Sequence, residues 1–288
     1  MTSTSQNLDW GSLFPDPDEA LFDVEAAPRL AARAQLTELL PILICPDTRS
    51  FLHLQEGVLA NAEGARFPFD AGRPVLLPRA VLERTYNSVL PLTQATLRTA
   101  LDQYLYLALI KSVQGEPNTP SSDGWYRRHL HRSQVLVQGA SGLVLDIGCD
   151  DPALSSRLFP RTVTYLGIEP SLAVPGEFRI VGMAEFLPFA DCSFDGVAFL
   201  TSLDHILDYH RAIGEAVRVL KPGGLMFLAT LVWTHGAELY WDSIHFHHFR
   251  EYELKGVLSS LHVEGVRRYG WKGEDHRYGV YLTARKPR

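Results

Sequence analysis

The chain contains few of the residues that mark secreted or metal-stabilised proteins. Its 288 residues include only three cysteines, Cys45, Cys149 and Cys192, too few and too scattered for a disulfide framework or a four-thiolate zinc site. No run of about 18 apolar residues occurs, so we expect no membrane-spanning helix. The opening MTSTSQNLDW lacks the basic and apolar stretches of a secretory signal. These absences together predict a cytoplasmic protein.

Basic residues are outnumbered as well. The chain has 27 Lys and Arg against 33 Asp and Glu, a net charge of −6, which disfavours a broad nucleic-acid-binding surface. The acidity is concentrated in residues 1–70, which carry 11 acidic residues and 4 Lys or Arg, whereas the remaining residues have a net charge of +1. This uneven distribution predicts a protein with two parts.

The front of the chain divides into three segments by pattern. The pattern of residues 1–38 predicts an acidic arm, followed by a helix that runs from Arg29 into Leu40. Residues 39–78 hold short strand-like runs separated by turn residues. Residues 79–124 predict two helices, Ala80–Val89 and Leu92–Val113, followed by a linker of the sequence QGEPNTPSSDG.

From residue 125 onwards, apolar runs alternate with helical patterns, which is typical of parallel sheets covered by helices. We therefore expect an α/β, Rossmann-like, doubly wound sheet of seven mostly parallel strands over residues 125–288. The helices expected between and after them are Ile206–Leu220 and Glu251–Leu261. The predicted strands are Leu143–Ile147, Val163–Ile168, Phe178–Val181, Phe194–Leu200, Leu225–Val232, Val263–Gly270 and Arg277–Ala284.

Ligands of such sheets bind at the carboxyl ends of the strands. Asp146 lies near the end of the first predicted strand, and Glu169 directly follows the second, about 20 residues beyond the first loop. A carboxylate at the second position can accept hydrogen bonds from both hydroxyls of a ribose, as in dinucleotide-binding folds. The pattern thus indicates a nucleoside-containing cofactor.

Five motifs in order resemble those of class I S-adenosylmethionine-dependent methyltransferases, in particular the ubiquinone/menaquinone-pathway subgroup. They are DIGC at 146–149, IEPS at 168–171, AEFLPF at 184–189, SFD at 193–195 and RVLKPGG at 218–224. The resemblance covers roughly residues 135–284 and implies S-adenosylmethionine as the cofactor. It implies that the methionine half is bordered by Asp146, Gly148 and Cys149, the ribose is held by Glu169, the adenine is lined by Ala184 and Glu185, and the sulfonium is flanked by Thr201 and Ser202.

The first loop departs from the glycine-rich pattern of that family. Asp150 and Pro152 stand at the next two glycine positions. Asp150 tolerates a left-handed backbone better than most residues, and its carboxylate could meet the cofactor's ammonium group. Pro152 suits the first position of a helix. We therefore include Asp150 among the cofactor-binding residues.

Residues 39–78 resemble a second family, the small zinc-ribbon-like module that activates tRNA methyltransferases. The resemblance rests on LPILICPDT at 40–48 and FPFDAGRPVLLP at 67–78. Metal-binding members carry paired Cys-x-x-Cys knuckles, whereas here only Cys45 remains and Thr48 holds the second position. Since structural zinc needs four ligands, we expect no metal in this degenerate module.

Histidines follow the fourth and fifth predicted strands. We interpret His205 as a general base or a packing residue, and Asp204 beside it as a substrate-orienting residue or, preferably, the cap of a helix starting at Ile206. The run IHFHHF at 244–249 could bind a substrate, pack, or bind metal. Metal is disfavoured because no carboxylate or cysteine completes the set. His248 is the second catalytic candidate, and the aromatic residues that could share its pocket are Trp233, Tyr240, Trp241 and His276.

A short basic run, RRHLHR at 127–132, could contact anions, but such a run is usually a solvated helix face. Our first functional hypothesis is methylation of a small metabolite, sugar or natural product. The alternatives are an RNA methyltransferase, which would need a basic stripe beside the cofactor cleft, and a scaffold or cyclase that no longer transfers methyl. The expected partner is a small-molecule substrate rather than nucleic acid or a membrane, with a homodimer as one assembly.

Overall fold

The computed structural model describes residues 21–24, 26–79, 81, 124–171, 179–234, 245–271 and 274–288. Its helices are α1 Leu36–Leu39, α2 Gly124–Leu136, α3 Pro152–Ser155, α4 Tyr209–Val219 and α5 Glu251–Val257. The first six strands are β1 Ala32–Arg33, β2 His53–Gln55, β3 Val58–Ala60, β4 Arg66–Phe67, β5 Phe69–Asp70 and β6 Arg73–Pro74. The other seven are β7 Gly142–Ile147, β8 Val163–Glu169, β9 Arg179–Val181, β10 Phe194–Leu200, β11 Leu220–Trp233, β12 His262–Trp271 and β13 Glu274–Arg285.

The central sheet has the predicted Rossmann-like form. From one edge its order is β8, β7, β10, β11, β13 and β12, with β9 paired to the outer side of β8. The pairs among β7 to β11 are parallel, and β13 runs antiparallel to both β11 and β12. All seven predicted strands are therefore confirmed, and the carboxyl ends of β7, β8, β9, β10 and β11 lie along the same edge.

An eighth strand, which the sequence analysis missed, extends this sheet. β1 pairs in parallel with the first half of β8, Ala32 opposite Thr164, while β9 pairs with its second half. The predicted helix from Arg29 to Leu40 is therefore wrong over its first half, because residues 32–33 bond to the sheet and helix begins only at Leu36. Two short strands thus share one edge of β8.

Residues 39–78 form a small antiparallel unit. β2, β3 and β4 make a three-stranded sheet, and β5 and β6 make a hairpin. Asn61 ties the unit together, because its Nδ2 donates to Ser50 Oγ (2.8 Å) and Thr48 Oγ1 (3.3 Å) while its Oδ1 accepts from Ala65 N (2.7 Å). The loops around Cys45 and Asn61 are thus joined by hydrogen bonds.

This unit shares its core with the large sheet. Leu43, Cys45 and Leu59, all fully buried, belong to the same apolar cluster as side chains of β7, β8 and β10. Leu43 also forms an isolated antiparallel bridge with Phe189, and Ile44 N donates to the carbonyl of residue 188. The N-terminal unit therefore packs as part of one continuous core.

Several predictions concern residues that the structure does not describe. These are residues 1–20 of the acidic arm, almost all of both helices predicted between residues 80 and 113, the linker up to residue 123, most of the short crossover after Glu169, and the aromatic residues Tyr240 and Trp241. Among the described residues, no helix is long and apolar enough to cross a membrane.

Candidate functional site

The carboxyl end of β7 holds a buried carboxylate, Asp146. Its Oδ2 accepts a hydrogen bond from the Tyr165 hydroxyl (2.9 Å), whereas its Oδ1 is buried and has no hydrogen-bond partner among the described residues. Burial raises the pKa of Asp146 to about 7, opposed by the Tyr165 hydrogen bond and assisted by the negative charge of Glu169. A buried carboxylate oxygen normally accepts a hydrogen bond, and a cationic group of a ligand would supply the missing hydrogen-bond donor.

Gly148 lets the loop after β7 approach β10 closely. Its φ is +76°, and a Cβ at this position would lie 2.4 Å from Ser202 Cβ. The Ser202 hydroxyl donates to the Ile147 carbonyl, which joins the ends of β7 and β10. Only glycine satisfies both the left-handed backbone and the close approach.

The two residues that stand at glycine positions of the first loop adopt backbone conformations that suit their own residue types. Asp150 adopts φ +48°, the left-handed conformation predicted for it. Pro152 is the first residue of α3, as predicted, and Asp151 caps that helix by accepting from Ala153 N at 2.8 Å. The first loop therefore accommodates Asp150 and Pro152 at the usual second and third glycine positions.

Glu169 ends β8 at the predicted position, next to a buried arginine that the sequence analysis missed. Glu169 Oε1 accepts from Ser171 N (3.1 Å), and Arg179 Nη2 donates to the Ser171 carbonyl (2.7 Å). Arg179 is only 1% exposed, and burial lowers its pKa, while the negative charges of Glu169 and Asp150 raise it. A buried arginine among apolar runs has no periodic signal, so sequence alone did not single it out.

Ala184 and Glu185 lie in a short 3-10 turn after β9. The Glu185 carboxylate is buried, accepts from Asp208 N at 3.4 Å, and has a pKa raised by burial. Its main-chain carbonyl accepts from Arg211 Nε at 2.7 Å. Both the side chain and the main chain of Glu185 thus contact residues at the start of α4.

Thr201 ends β10 in a strained conformation and contacts a histidine from α2. Its φ is +61°, uncommon for a β-branched residue. Its Oγ1 donates to the Leu200 carbonyl (2.7 Å) and lies 3.2 Å from His129 Nε2, while His129 Nδ1 lies 2.9 Å from the Tyr281 hydroxyl. The threonine proton is directed to the Leu200 carbonyl, so the threonine oxygen accepts from the ring in the tautomer protonated at Nε2.

The environment of His129 keeps its ring neutral. Burial, and secondarily the charge of Arg132, lowers the pKa of His129 to about 4. This corrects our interpretation of the basic run 127–132 as a solvated helix face. His129 and Arg132 are buried, the Arg132 guanidinium lies 4.3 Å from the centre of the Tyr269 ring, and Arg127 Nε donates to the Phe22 carbonyl. Much of the run therefore packs inward.

Asp204 does not cap a helix, which corrects our preferred interpretation. Helix α4 begins at Tyr209, and its cap is Asp208, whose Oδ1 accepts from Arg211 N at 3.0 Å. Asp204 instead lies buried in a 3-10 turn with His205. Its Oδ1 is 4.0 Å from His205 Nε2, and its Oδ2 is 3.8 Å from His245 Nε2.

The histidine run after β11 separates into two sets. His247 Nε2 lies 2.9 Å from the carbonyls of Ile206 and Leu207, to which it donates, so it has a structural role. His245 and His248 instead join a row of rings across the strand ends. Centroid distances along this row are 4.6 Å for His205–His245, 6.3 Å for His245–His248, 4.3 Å for His248–Trp233 and 5.6 Å for Trp233–His276.

Cys149 lies in the first loop but turns its thiol inward. It is 2% exposed, and a Cβ on Gly167 would lie 2.5 Å from its Sγ. Burial raises the pKa of Cys149 well above its usual value, so the thiol stays protonated and unreactive. Its contribution to the loop is therefore made by the main chain.

The chain is similar in sequence to known proteins over its central part. Residues 145–228 match the model of a family described as a methyltransferase domain. An uncharacterized methyltransferase of Mycobacterium tuberculosis is 34% identical over 115 residues, which are 37% of this chain and 46% of that protein. A ubiquinone biosynthesis O-methyltransferase of Xylella fastidiosa is 28% identical over 186 residues, covering 53% of this chain and 72% of that protein.

A solved structure of 1,6-didemethyltoxoflavin-N1-methyltransferase from Burkholderia thailandensis, with 1,6-didemethyltoxoflavin and S-adenosylhomocysteine bound, has a similar fold. The two structures superpose with a TM-score of 0.50 and are 16% identical in sequence. The match covers 78% of this chain and 100% of that chain. The chain spans less than half the length of the first curated relatives, 46% in the Mycobacterium protein. The central part of the chain, residues 145–228, thus matches the model of a methyltransferase domain, and its sheet has a Rossmann-like fold.

Proposed function

We propose that this protein is an S-adenosylmethionine-dependent methyltransferase that acts on a small metabolite, sugar or natural product. The observation that carries the proposal is the buried Asp146 Oδ1, which lacks a donor among the described residues, at the end of β7. Asp146 lies two residues before Gly148, which begins the following loop with a left-handed backbone. An ammonium group of the cofactor's methionine half would give Asp146 the missing donor.

The other predicted contacts follow the strand ends. Glu169 would accept hydrogen bonds from the ribose, the backbone of Ala184 and Glu185 would line the adenine, and Thr201 and Ser202 would flank the sulfonium. The bound cofactor supplies an electrophilic methyl group. The residues of this chain hold both reactants in line, and Thr201 is kept in place by the neutral ring of His129.

The acceptor side is formed by the row of rings that ends β10 and β11. His205 and His248 are the candidates to contact the acceptor and take its proton, and the rings of Trp233 and His276 continue the row beside them. Such a row of rings suits a flat small molecule. The curated Xylella relative is likewise named for O-methylation in ubiquinone biosynthesis.

Two alternatives fit less well. An RNA methyltransferase predicts a basic stripe at the cleft, yet in run 127–132 both His129 and Arg132 are buried. A scaffold without methyl transfer was suggested by Asp150 and Pro152, yet Asp150 has a left-handed backbone, as a glycine there could, and Pro152 begins α3. We also propose that residues 39–78 are a metal-free relative of the zinc-ribbon-like activator module, with Asn61 joining its two knuckle regions.

A transfer assay distinguishes these functions. Untagged protein with methyl-labelled S-adenosylmethionine should label small molecules from a metabolite and phenol panel, and His205→Ala and His248→Ala should reduce the label at least about tenfold. Label found only on total RNA would favour the second function. Cofactor binding without any label transfer would favour the scaffold.

A further inference from the structure

The turn after β10 and the segment before α5 bring together three side chains with metal-binding atoms. We propose that Asp204, His205 and His245 form a binding site for a divalent transition-metal ion. One ligand atom from each of these residues lies within 4.8 Å of the others. The sequence analysis gave metal little weight because it found no carboxylate near the histidine run, and the fold supplies that carboxylate from 41 positions earlier in the chain.

The carboxylate is the strongest part of the argument. Asp204 is 2% exposed, and its Oδ1 is buried without a hydrogen-bond partner among the described residues. Its distances to the two imidazole nitrogens, 4.0 Å to His205 and 3.8 Å to His245, are too long for hydrogen bonds. A buried carboxylate in this state needs a cation or a donor.

The spacing leaves room for an ion. In a tetrahedral zinc site with bonds of about 2.0–2.2 Å, neighbouring ligand atoms are about 3.3–3.5 Å apart. The distances between the three ligand atoms therefore need to shorten by less than about 1.5 Å. Side-chain rotation of the two partly exposed histidines can provide this change. Their side chains are 26% and 19% exposed for His205 and His245, so the ion would keep an open position.

The backbone already holds the two segments in place. Phe246 N and His247 N both donate to the Asp204 carbonyl, at 2.9 and 3.2 Å. The His247 ring donates to carbonyls just before α4. The ligands are therefore preorganised by neighbours that are not ligands themselves, a common feature of metal sites.

The ligand set indicates the class of ion. Two imidazoles and one carboxylate with an open position suit zinc, iron, cobalt or nickel better than magnesium or calcium, which prefer oxygen ligands. The role of the ion, unlike its binding, rests on the proposed function. It would hold an oxygen of the acceptor and make a hydroxyl there more acidic. His205 and His245 would then be ligands, and His248 would remain as the candidate base.

Metal binding can be measured without any methyl acceptor. Untagged wild-type protein, treated with a chelator and dialysed, is titrated with Co²⁺ by visible absorption and with Zn²⁺ by calorimetry. We expect one ion per chain and at least about 100-fold weaker binding in Asp204→Asn, His205→Ala and His245→Ala, since each removes a direct ligand. His262→Ala, an exposed histidine at the start of β12, should bind as wild type does.

Two results would overturn the proposal: no stoichiometric ion in folded wild-type protein, or unchanged binding in the three ligand variants. If Asp204→Asn does not fold, His205→Ala and His245→Ala decide alone, because their side chains are partly exposed. A separate titration with S-adenosylhomocysteine keeps the two proposals apart. Loss of cofactor binding refutes the methyltransferase proposal and leaves the ion site standing.

Discussion

The Nε2 atom of His129 lies within hydrogen-bond distance of Thr201 Oγ1, at 3.2 Å, although 72 positions separate the two residues in the chain. Thr201 ends β10 with φ +61°, so a neutral histidine from helix α2 stabilises a strained residue at the edge where the cofactor is proposed to bind. The hydroxyl of Tyr281 from β13 completes the chain of contacts. Three separate elements thus determine the position of one threonine.

Replacing His129 should change how stability depends on pH. The pKa of His129 is lowered to about 4, so the folded protein keeps the ring neutral while the unfolded chain takes up a proton near pH 6.5. The contribution of this neutral ring to the free energy of unfolding is fully present above pH 6.5 and is lost as the pH falls towards 4. When the pH is lowered from 7.5 to 5, the free energy of unfolding of the wild type should fall by about 2 kcal/mol because of this residue. The His129→Gln variant should not show this decrease.

Urea unfolding at the two pH values measures this difference. His262→Gln serves as the control, because it removes an exposed histidine and should retain the pH dependence of wild type. Equal losses of stability in wild type and His129→Gln would show that the ring of His129 is not kept neutral by the fold.

Binding of the cofactor should strengthen as Asp146 ionises. The pKa of Asp146 is raised to about 7, so at pH 6 most molecules carry a neutral carboxyl that attracts an ammonium group poorly. The affinity for S-adenosylhomocysteine should rise about fivefold to tenfold from pH 6 to pH 7.5. Calorimetry of Asp146→Asn, which keeps the shape of the side chain, should show weaker binding with a flat pH dependence. The same slope in both proteins would contradict the assignment of Asp146.

Adding a methyl group at Gly148 should disrupt the first loop. Gly148→Ala places its Cβ 2.4 Å from Ser202 Cβ at φ +76°, which should cost about 2–4 kcal/mol in the free energy of unfolding. Cofactor affinity should fall with it. Adding Ser202→Gly should recover part of the loss, because it removes the steric overlap and leaves the backbone strain.

Gly214→Ala is the matched control for this change. Gly214 lies in α4 with open space around it, so alanine there should be neutral or stabilising by about 0.5–1 kcal/mol. The midpoints of thermal unfolding rank these variants by stability. A Gly148→Ala protein as stable as Gly214→Ala would refute the close approach of the first loop to β10.

The N-terminal unit should unfold together with the large sheet. Asn61→Ala removes three hydrogen bonds that join the loops near Cys45 and Ala65, and should destabilise the protein by about 1–3 kcal/mol. Because the core is continuous, we expect a single cooperative transition at a lower midpoint. Gln55→Ala, which shortens an exposed side chain of β2, should leave the midpoint unchanged. Two separate transitions would instead show that the unit is an independent domain.

The sheet could be predicted because its strands are nearly continuous apolar runs bounded by turn residues. For the same reason, the residues at the strand ends, from Asp146 to Thr201, could be placed along one edge before any coordinates were known. The helix predicted from Arg29 failed because residues 32–33 gain sheet hydrogen bonds from β8. Local pattern carries no information on such a distant partner.

The parts of the site that sequence did not reveal all depend on contacts far apart in the chain. His129 looked like one member of a basic run, and only packing against Thr201 and Tyr281 buries it. Asp204 looked like a helix cap, and its proximity to His245 arises where two loops meet. Arg179 carries its charge into the interior next to Ser171. Spacing along the chain cannot express any of these relationships.

The central claim is that the edge formed by Asp146, Gly148 and Glu169 binds S-adenosylmethionine. The most direct test is calorimetric titration of the untagged, folded protein with S-adenosylmethionine and S-adenosylhomocysteine. We predict one site per chain with a dissociation constant of about 1–100 μM, and at least tenfold weaker binding in Glu169→Ala. A folded protein that shows neither heat of binding nor thermal stabilisation with either ligand would contradict the claim.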